Sequence, residues 1–487
     1  MNLLTHPLPL RTLLLSSCML AVSFSFAGSI DASAANKKGD YKTQRPEASK
    51  RCFRSEAVES TINQVAAGIS DAKLAWMFTN CFPNTLDTTV DYELLDGKPD
   101  TYVITGDIDA MWLRDSSAQV WPYLSLANKD EALKSLFRGL ISRQMKCILL
   151  DPYANAFYKD FSKETEWKED KPTPGSGVHE RKYEIDSYCY PIRLAYNYWK
   201  ETGDASIFDK AWDQGARRIV KTFRTEQRKD GTTPYSFVRV YANHTVTAPF
   251  EGKGRPSKPV GLIASAFRPS DDGCMYPFLI PSNIFAAESL GQLAEIYQTV
   301  LHDDSMAAEC QNFSEEVSAA INKYAVIDHL DFGKIYAYEV DGYGNAVFMD
   351  DPNIPSLIAM KYLNAPKYYD EEVYQNTRRY LLSTANPYYF VGKAGEGQGG
   401  PHAGLNTIWN MGIVLRAMTS TDTKEIKWCI EQLLHTDADT GFMHETFNKD
   451  DASQFSRSWF AWANTLFGEM IVQVHHQHPE LLKEIKN

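Results

Sequence analysis

From about residue 50 to its end the chain is a succession of amphipathic helical segments, a pattern that excludes most folds at once. In 55–75, apolar residues recur at helical spacing at Val58, Ile62, Val65, Ile69 and Leu74. Similar segments follow at 116–126, 129–151, 186–202, 205–228, 282–302, 307–324, 355–363, 369–382, 405–420, 423–436 and 456–475. The segment 186–202 stops at Gly203-Asp204, where Gly suits a helix end and Asp the next start. Strand-like runs are confined to 101–104, 235–238 and 334–340, too few for a parallel α/β sheet. Helices of this number, paired by short loops, close as an inner and an outer ring: an all-α (α/α)6 barrel with a few short strands in its loops. An open solenoid would need a fixed repeat, and loop lengths and motifs here differ from pair to pair.

No Pro/Ser-rich linker interrupts the helices, so 49–487 reads as a single catalytic domain. Before it, Arg11 precedes an apolar stretch from Leu13 to Ala27 that ends Ser25-Phe26-Ala27. Residues 1–27 therefore read as a signal peptide, and the stretch is too short for a membrane span. Leu15-Ser16-Ser17-Cys18 also resembles a lipoprotein box, a lesser alternative in which Cys18 is lipidated. The expectation is an exported, periplasmic protein. Residues 28–48, rich in Ala, Ser, Asn and Lys, read as a flexible leader.

The formal charge of −12, with no basic run, speaks against a nucleic-acid partner. The 10 Trp and 26 Tyr suit both a packed core and sugar rings, whose apolar faces stack on aromatics. The eight cysteines are irregularly spaced and form no C-x-x-C pair. No H-x-x-x-H or H-E-x-x-H occurs, and near Asp437 and Asp439 a glycine, Gly441, stands where a calcium loop needs a third ligand. A metal-free mechanism without cofactor is expected. The run 392–402 is glycine-rich but lacks the Lys-Ser/Thr ending of a phosphate loop, and reads as a mobile or closely packed loop bordering a pocket.

Three separated segments carry the chemistry. Arg268-Pro269-Ser270-Asp271-Asp272-Gly273 places two adjacent acids in a Pro-bracketed loop. Gly441-Phe442-Met443-His444-Glu445-Thr446-Phe447 sets one acid among aromatics, where a carboxylate would be partly desolvated. Met111-Trp112-Leu113-Arg114-Asp115-Ser116 supplies a donor fork and an acceptor side by side, able to grip neighbouring hydroxyls or to form a structural ion pair. Breaking a glycosidic bond needs one carboxyl to donate a proton and a second to activate water or attack carbon. Either aspartate could equally be a turn or cap residue. Asn283, after Pro281-Ser282, can cap a helix or bind a hydroxyl.

The motifs Thr105–Ser116, Phe267–Asp272 with Pro281-Ser282-Asn283, and Met443–Phe447 resemble, in order, those of glycoside hydrolase family 125. The likeness runs from about residue 50 to the C-terminus, and the Trp-x-Arg-Asp element is also similar to that of glucoamylase-like inverting enzymes. The resemblance implies an exo-acting, metal-independent, inverting α-mannosidase that removes non-reducing-end α-1,6-linked mannose. It implies Glu445 as general base and an aspartate of the pair as general acid, Asp272 by first choice and Asp271 by second. Arg114 and Asp115 would hold the terminal mannose, with Trp112, Arg268, Asn283, His402 and His444 around it. Its partner would be a mannose-containing oligosaccharide or N-glycan, bound by a monomer. The competing readings are another exo-glycosidase on the same barrel, such as a glucosidase, and a non-catalytic glycan-binding protein.

Overall fold

The computed structural model describes residues 41–239, 247–363 and 365–486. The expected signal peptide, Cys18 and residues 28–40 of the expected leader lie outside them. Residues 41–48 are part of the packed chain. Tyr41 stacks on Trp76, the Trp76 indole donates to the Lys42 carbonyl, and Arg45 bridges Asp87 and Glu59. Their polar composition hid one aromatic and one arginine, each with a buried partner.

The helices are α1 (Glu56–Ala67), α2 (Ala72–Cys81), α3 (Asn84–Thr88), α4 (Leu113–Val120), α5 (Glu131–Leu150), α6 (Asp186–Thr202) and α7 (Lys210–Glu226). Then come α8 (Ile280–Thr299), α9 (Asp304–Tyr324), α10 (Glu371–Leu381), α11 (Asn410–Met418), α12 (Thr423–His435), α13 (Ala461–Gln477) and α14 (Leu481–Glu484). Neighbour packing closes a ring: α4 on α6, α6 on α8, α8 on the short 3-10 turn Ile358–Met360, that turn on α11, α11 on α13, and α13 back on α4. Helices α2, α5, α9 and α12 pack outside this ring, with α7 against α5. This is the (α/α)6 barrel the helical pattern predicts.

The two rings start differently. The outer helices α1, α2, α5, α7, α9, α10 and α12 are capped by their own Ser55, Asp71, Asp130, Asp209, Asp303, Asp370 and Asp422, whose side chains accept from the first turn. The inner helices α4, α6, α8, α11 and α13 follow Trp112, Ile185, Leu279, Trp409 and Phe460, none of which supplies a cap. Distant loops cap them instead. Leu113 N–H donates to the Asn155 carbonyl, Ile280 to Tyr338, Asn410 to Glu445 and Ala461 to Thr105, while the N–H of Ile185 finds the Ser265 hydroxyl.

Several elements depart from the sequence reading. The segment 55–75 is two helices, α1 and α2. The segment 355–363 keeps only the turn Ile358–Met360, where the N–H groups of Ile358 and of Leu357 just before it donate to the Asp350 carboxylate. The run 235–238 makes only an isolated bridge, Lys171 to Val238. Val90–Leu95 forms an unexpected hairpin with Lys98–Val103, turned by Asp96-Gly97, both at positive φ (51° and 75°). Another unexpected hairpin, Thr446–Asn448 with Asp451–Ser456, leads into the last long helix, which starts at Ala461 and not at residue 456.

Gly468 lets α13 touch the outer layer: a Cβ there would lie 2.6 Å from Phe82 Cα. Elsewhere in a helix Gly→Ala gains about 1 kcal/mol of propensity. Here overpacking should win, and Gly468→Ala should lower stability by about 1–3 kcal/mol, read from the denaturant midpoint.

Candidate active site

The N-terminal ends of the inner helices face one rim, and the loops entering them surround a cavity of about 200 Å³. Its wall includes Trp112, Arg114 and Asp115 at the start of α4, Asp271 before α8, His402 and Trp409 before α11, and Glu445, Arg457 and Trp462 around the entry to α13. The volume suits a sugar ring rather than a long chain.

Arg114 is buried, and its Nη1 donates to Glu184 Oε2 (2.6 Å) and Asp186 Oδ2 (2.9 Å), while Nε lies 3.4 Å from Asp115 Oδ2. Burial pushes the Asp115 carboxyl up to about 6, even with Arg114 and Arg457 close by. The expected hydroxyl-gripping pair is thus held from behind by Glu184 and Asp186.

The Arg268–Asp272 turn decides which aspartate enters the cavity. Asp271 N–H donates to the Arg268 carbonyl, and Arg268 N–H to the Asp272 carbonyl. Asp271 sits at φ 70°, a left-handed conformation that Asp tolerates better than most residues. Its carboxylate lines the cavity, with Asn155 Nδ2 donating to Oδ1 and Lys182 Nζ at 3.9 Å. Burial raises the Asp271 carboxyl, but Lys182, Arg114 and His402 outweigh it and hold the group below the usual carboxylate range. Asp272 is not part of this wall. It is 2 % exposed, and its Oδ1 lies 3.2 Å from His402 Nδ1. Desolvation opposes charge on His402, yet the hydrogen bond to Asp272 and the nearby Glu445 and Asp271 raise it to about 9. His402 is therefore an imidazolium at neutral pH, with Asp272 as its anchor.

Glu445 faces the same cavity. Ser456 Oγ donates to its Oε2 (3.0 Å), and Arg457 Nη1 stands 3.7 Å from Oε1. Its backbone is fixed at both ends, the N–H to the Ser456 carbonyl and the carbonyl to Asn410 N–H at the start of α11. Arg457, at φ 48°, is braced by Asp107 and Thr105. The neighbouring Gly106 is required: a Cβ would come within 2.4 Å of the Trp459 carbonyl oxygen.

Besides Asp272, three expected residues do not line the cavity. Asn283 is buried in α8, accepting from Ile263 N–H and donating to the Ile263 and Leu279 carbonyls, so it neither caps the helix nor reaches a ligand but ties the Ile263 backbone to α8. Arg268 is buried against Glu339 (2.6 Å), on the far side of its loop. His444 stacks on Phe455 and meets Thr440 Oγ1, and burial lowers it to about 4. The glycine-rich run is closely packed, since Cβ atoms at Gly392 and Gly399 would meet backbone oxygens at 2.2 Å. Missed by the sequence reading were Trp409, Trp462, Arg457, Asn353 and the Glu184–Asp186 pair. A signal existed for the first two: like Trp112, Trp409 and Trp462 stand beside the start of a long helical segment.

Buried polar atoms without a hydrogen-bond partner occur on this wall, among them Trp112 Nε1, Trp409 Nε1 and Asp115 Oδ2. Donors and acceptors mixed among indole faces match a polyhydroxylated ring. Helix-ring barrel and two carboxyls lining one ring-sized cavity together point to a glycoside hydrolase. The family model of metal-independent α-mannosidases, glycoside hydrolase family 125, matches residues 71–472. The chain belongs to this family. It is 40 % identical over 459 residues to the meiotically up-regulated gene 157 protein of Schizosaccharomyces pombe, covering 91 % of this chain and 90 % of that one. It is also similar to a metal-independent α-mannosidase of Streptococcus pneumoniae solved in a non-productive complex with α-1,6-mannobiose. That match has 41 % identity and a TM-score of 0.83, over 88 % of this chain and 100 % of the other. A bacterial glucoamylase bound to acarbose shares the fold at 12 % identity and a TM-score of 0.52, over 86 % of this chain and 59 % of the other.

Removing the Asp272 charge should release His402. In Asp272→Asn the His402 ring should titrate well below its value of about 9, as burial then opposes the imidazolium with less compensation. Ring-proton chemical shifts against pH measure this directly.

Proposed function

We propose that the protein is an exo-acting hydrolase that removes non-reducing-end α-1,6-linked mannose from mannose-containing oligosaccharides or N-glycans with inversion. The carrying observation is that Asp271 and Glu445 line one ring-sized cavity floored by Trp and Arg. The substrate reading is supported by the α-1,6-mannobiose bound to the similar streptococcal enzyme. In this reading Asp271, not Asp272, delivers the proton to the leaving oxygen. Glu445, steadied by Ser456 and Arg457, takes a proton from water as that water attacks the anomeric carbon. Arg114 and Asp115 hold hydroxyls of the terminal ring, and Asp272 acts through His402.

The decisive experiment is NMR of the first product from α-1,6-mannobiose. β-Mannose should appear before mutarotation; initial α-mannose would overturn inversion. Asp271→Asn and Glu445→Gln should each lower kcat by about 100- to 10,000-fold, the usual contribution of a positioned acid or base. Asp272→Asn should cost less than Asp271→Asn; the reverse order would return the acid role to Asp272.

A further inference from the structure

The acid of the proposed reaction must carry a proton, yet Asp271 faces Lys182, Arg114 and His402, which favour its ionised form. The structure offers a place beside it where a proton can be stored. Glu184 is 1 % exposed, and Arg114 Nη1 and Ser187 Oγ both donate to its Oε2. No donor reaches Oε1. The carboxyl is within hydrogen-bond reach of Asp271. Two carboxyls in such contact, one fully buried and the other at the cavity wall, are stabilised by a proton between them. Charge count leads to the same place. One guanidinium, Arg114, is paired with three buried carboxyls, Asp115, Glu184 and Asp186. Lys182, the next cation, is shared by Glu180 and Asp271. Glu180 is paired with Arg239 as well, and Cys274 and Tyr235, also near Glu184, are not cations.

We infer that Glu184 is a protonated carboxylic acid that donates to Asp271 and resupplies it during catalysis. Glu184 is thus a positioning residue that acts through Asp271, and the inference rests on the acid role proposed for Asp271. Burial raises the Glu184 carboxyl well above the usual range, and Asp186 and Asp271 add to this against Arg114 and Lys182.

The step balances. The Glu184 O–H bond breaks as a proton reaches Asp271, and Asp271 passes a proton to the glycosidic oxygen. The C–O bond breaks with its electron pair going to that oxygen. Water bonds to the anomeric carbon and gives its proton to Glu445. Glu184 ends ionised beside Arg114, and Glu445 ends protonated. Exchange of one proton each with bulk water resets both, so the turnover consumes only water.

The test compares wild type, Glu184→Gln, Asp186→Asn and Asp271→Asn on α-1,6-mannobiose and on 2,4-dinitrophenyl α-mannoside, whose leaving group needs no proton. In Glu184→Gln, the fall in kcat on mannobiose should exceed the fall in dinitrophenyl release by at least about tenfold. The basic limb of the mannobiose pH profile should move to lower pH, because Asp271 then has no neighbouring store. Wild-type behaviour of Glu184→Gln on mannobiose, an equal loss on both substrates, or the same signature in Asp186→Asn alone would overturn the inference. Asp271→Asn at the wild-type rate on mannobiose would instead overturn the acid assignment. Should Glu184→Gln not fold, infrared spectra of protein with 13C-labelled glutamate remain. The Asp271→Asn minus wild-type difference should show a protonated glutamic acid band that shifts, and a flat difference sinks the proposal. Glu469, a second buried acid raised to about 7 and bonded to Tyr362 in the C-terminal half of α13, cancels in that difference.

Discussion

The inner helices begin without a capping side chain of their own, and much of the active-site rim follows from that. A helix start leaves N–H groups that need acceptors. In the outer ring a Ser or Asp one step before the helix supplies them locally. In the inner ring the acceptors are carbonyls and a hydroxyl from chain far away in sequence. The space a polar cap would occupy is instead filled by Trp112, Ile185, Leu279, Trp409 and Phe460. Three of these, the aromatics Trp112, Trp409 and Phe460, become walls of the sugar cavity. The device that starts the helix and the surface that receives the substrate are the same residues.

The cavity concentrates ionisable groups that would not coexist in water at such proximity. Arg114 is held by Glu184 and Asp186 and in turn stands beside Asp115. Arg457 lies between Asp107 and Glu445. His402 carries its charge because Asp272 stands behind it. Arg114 and His402 are thus each backed by a carboxylate buried one layer deeper, which helps to fix orientation and protonation.

This layering also explains what the sequence could and could not convey. The barrel was legible because its helices are long and periodic, and because the outer starts carry Ser or Asp in plain view. The motifs around Trp112, Asp271 and Glu445 were legible because acids and aromatics crowd together along the chain. Which of Asp271 and Asp272 enters the cavity was not, since one left-handed φ sends adjacent side chains in different directions and both residues tolerate it. Arg457 fell within the segment read as the last helix, and its place beside Glu445 arises only because the chain there forms a hairpin instead. Arg268, Asn283 and His444 sit in the same motifs yet serve the scaffold, because a motif fixes neighbourhood along the chain and not the direction a side chain takes.

The reciprocal capping has a consequence for how such an enzyme can diversify. The carbonyl of Glu445 terminates the N-terminal end of α11, and the carbonyl of Thr105 does the same for α13. A rim segment grafted from another enzyme would carry away an acceptor that belongs to a helix elsewhere on the ring. New specificity on this scaffold therefore comes by exchanging side chains in place, or by replacing interlocked segments as a set.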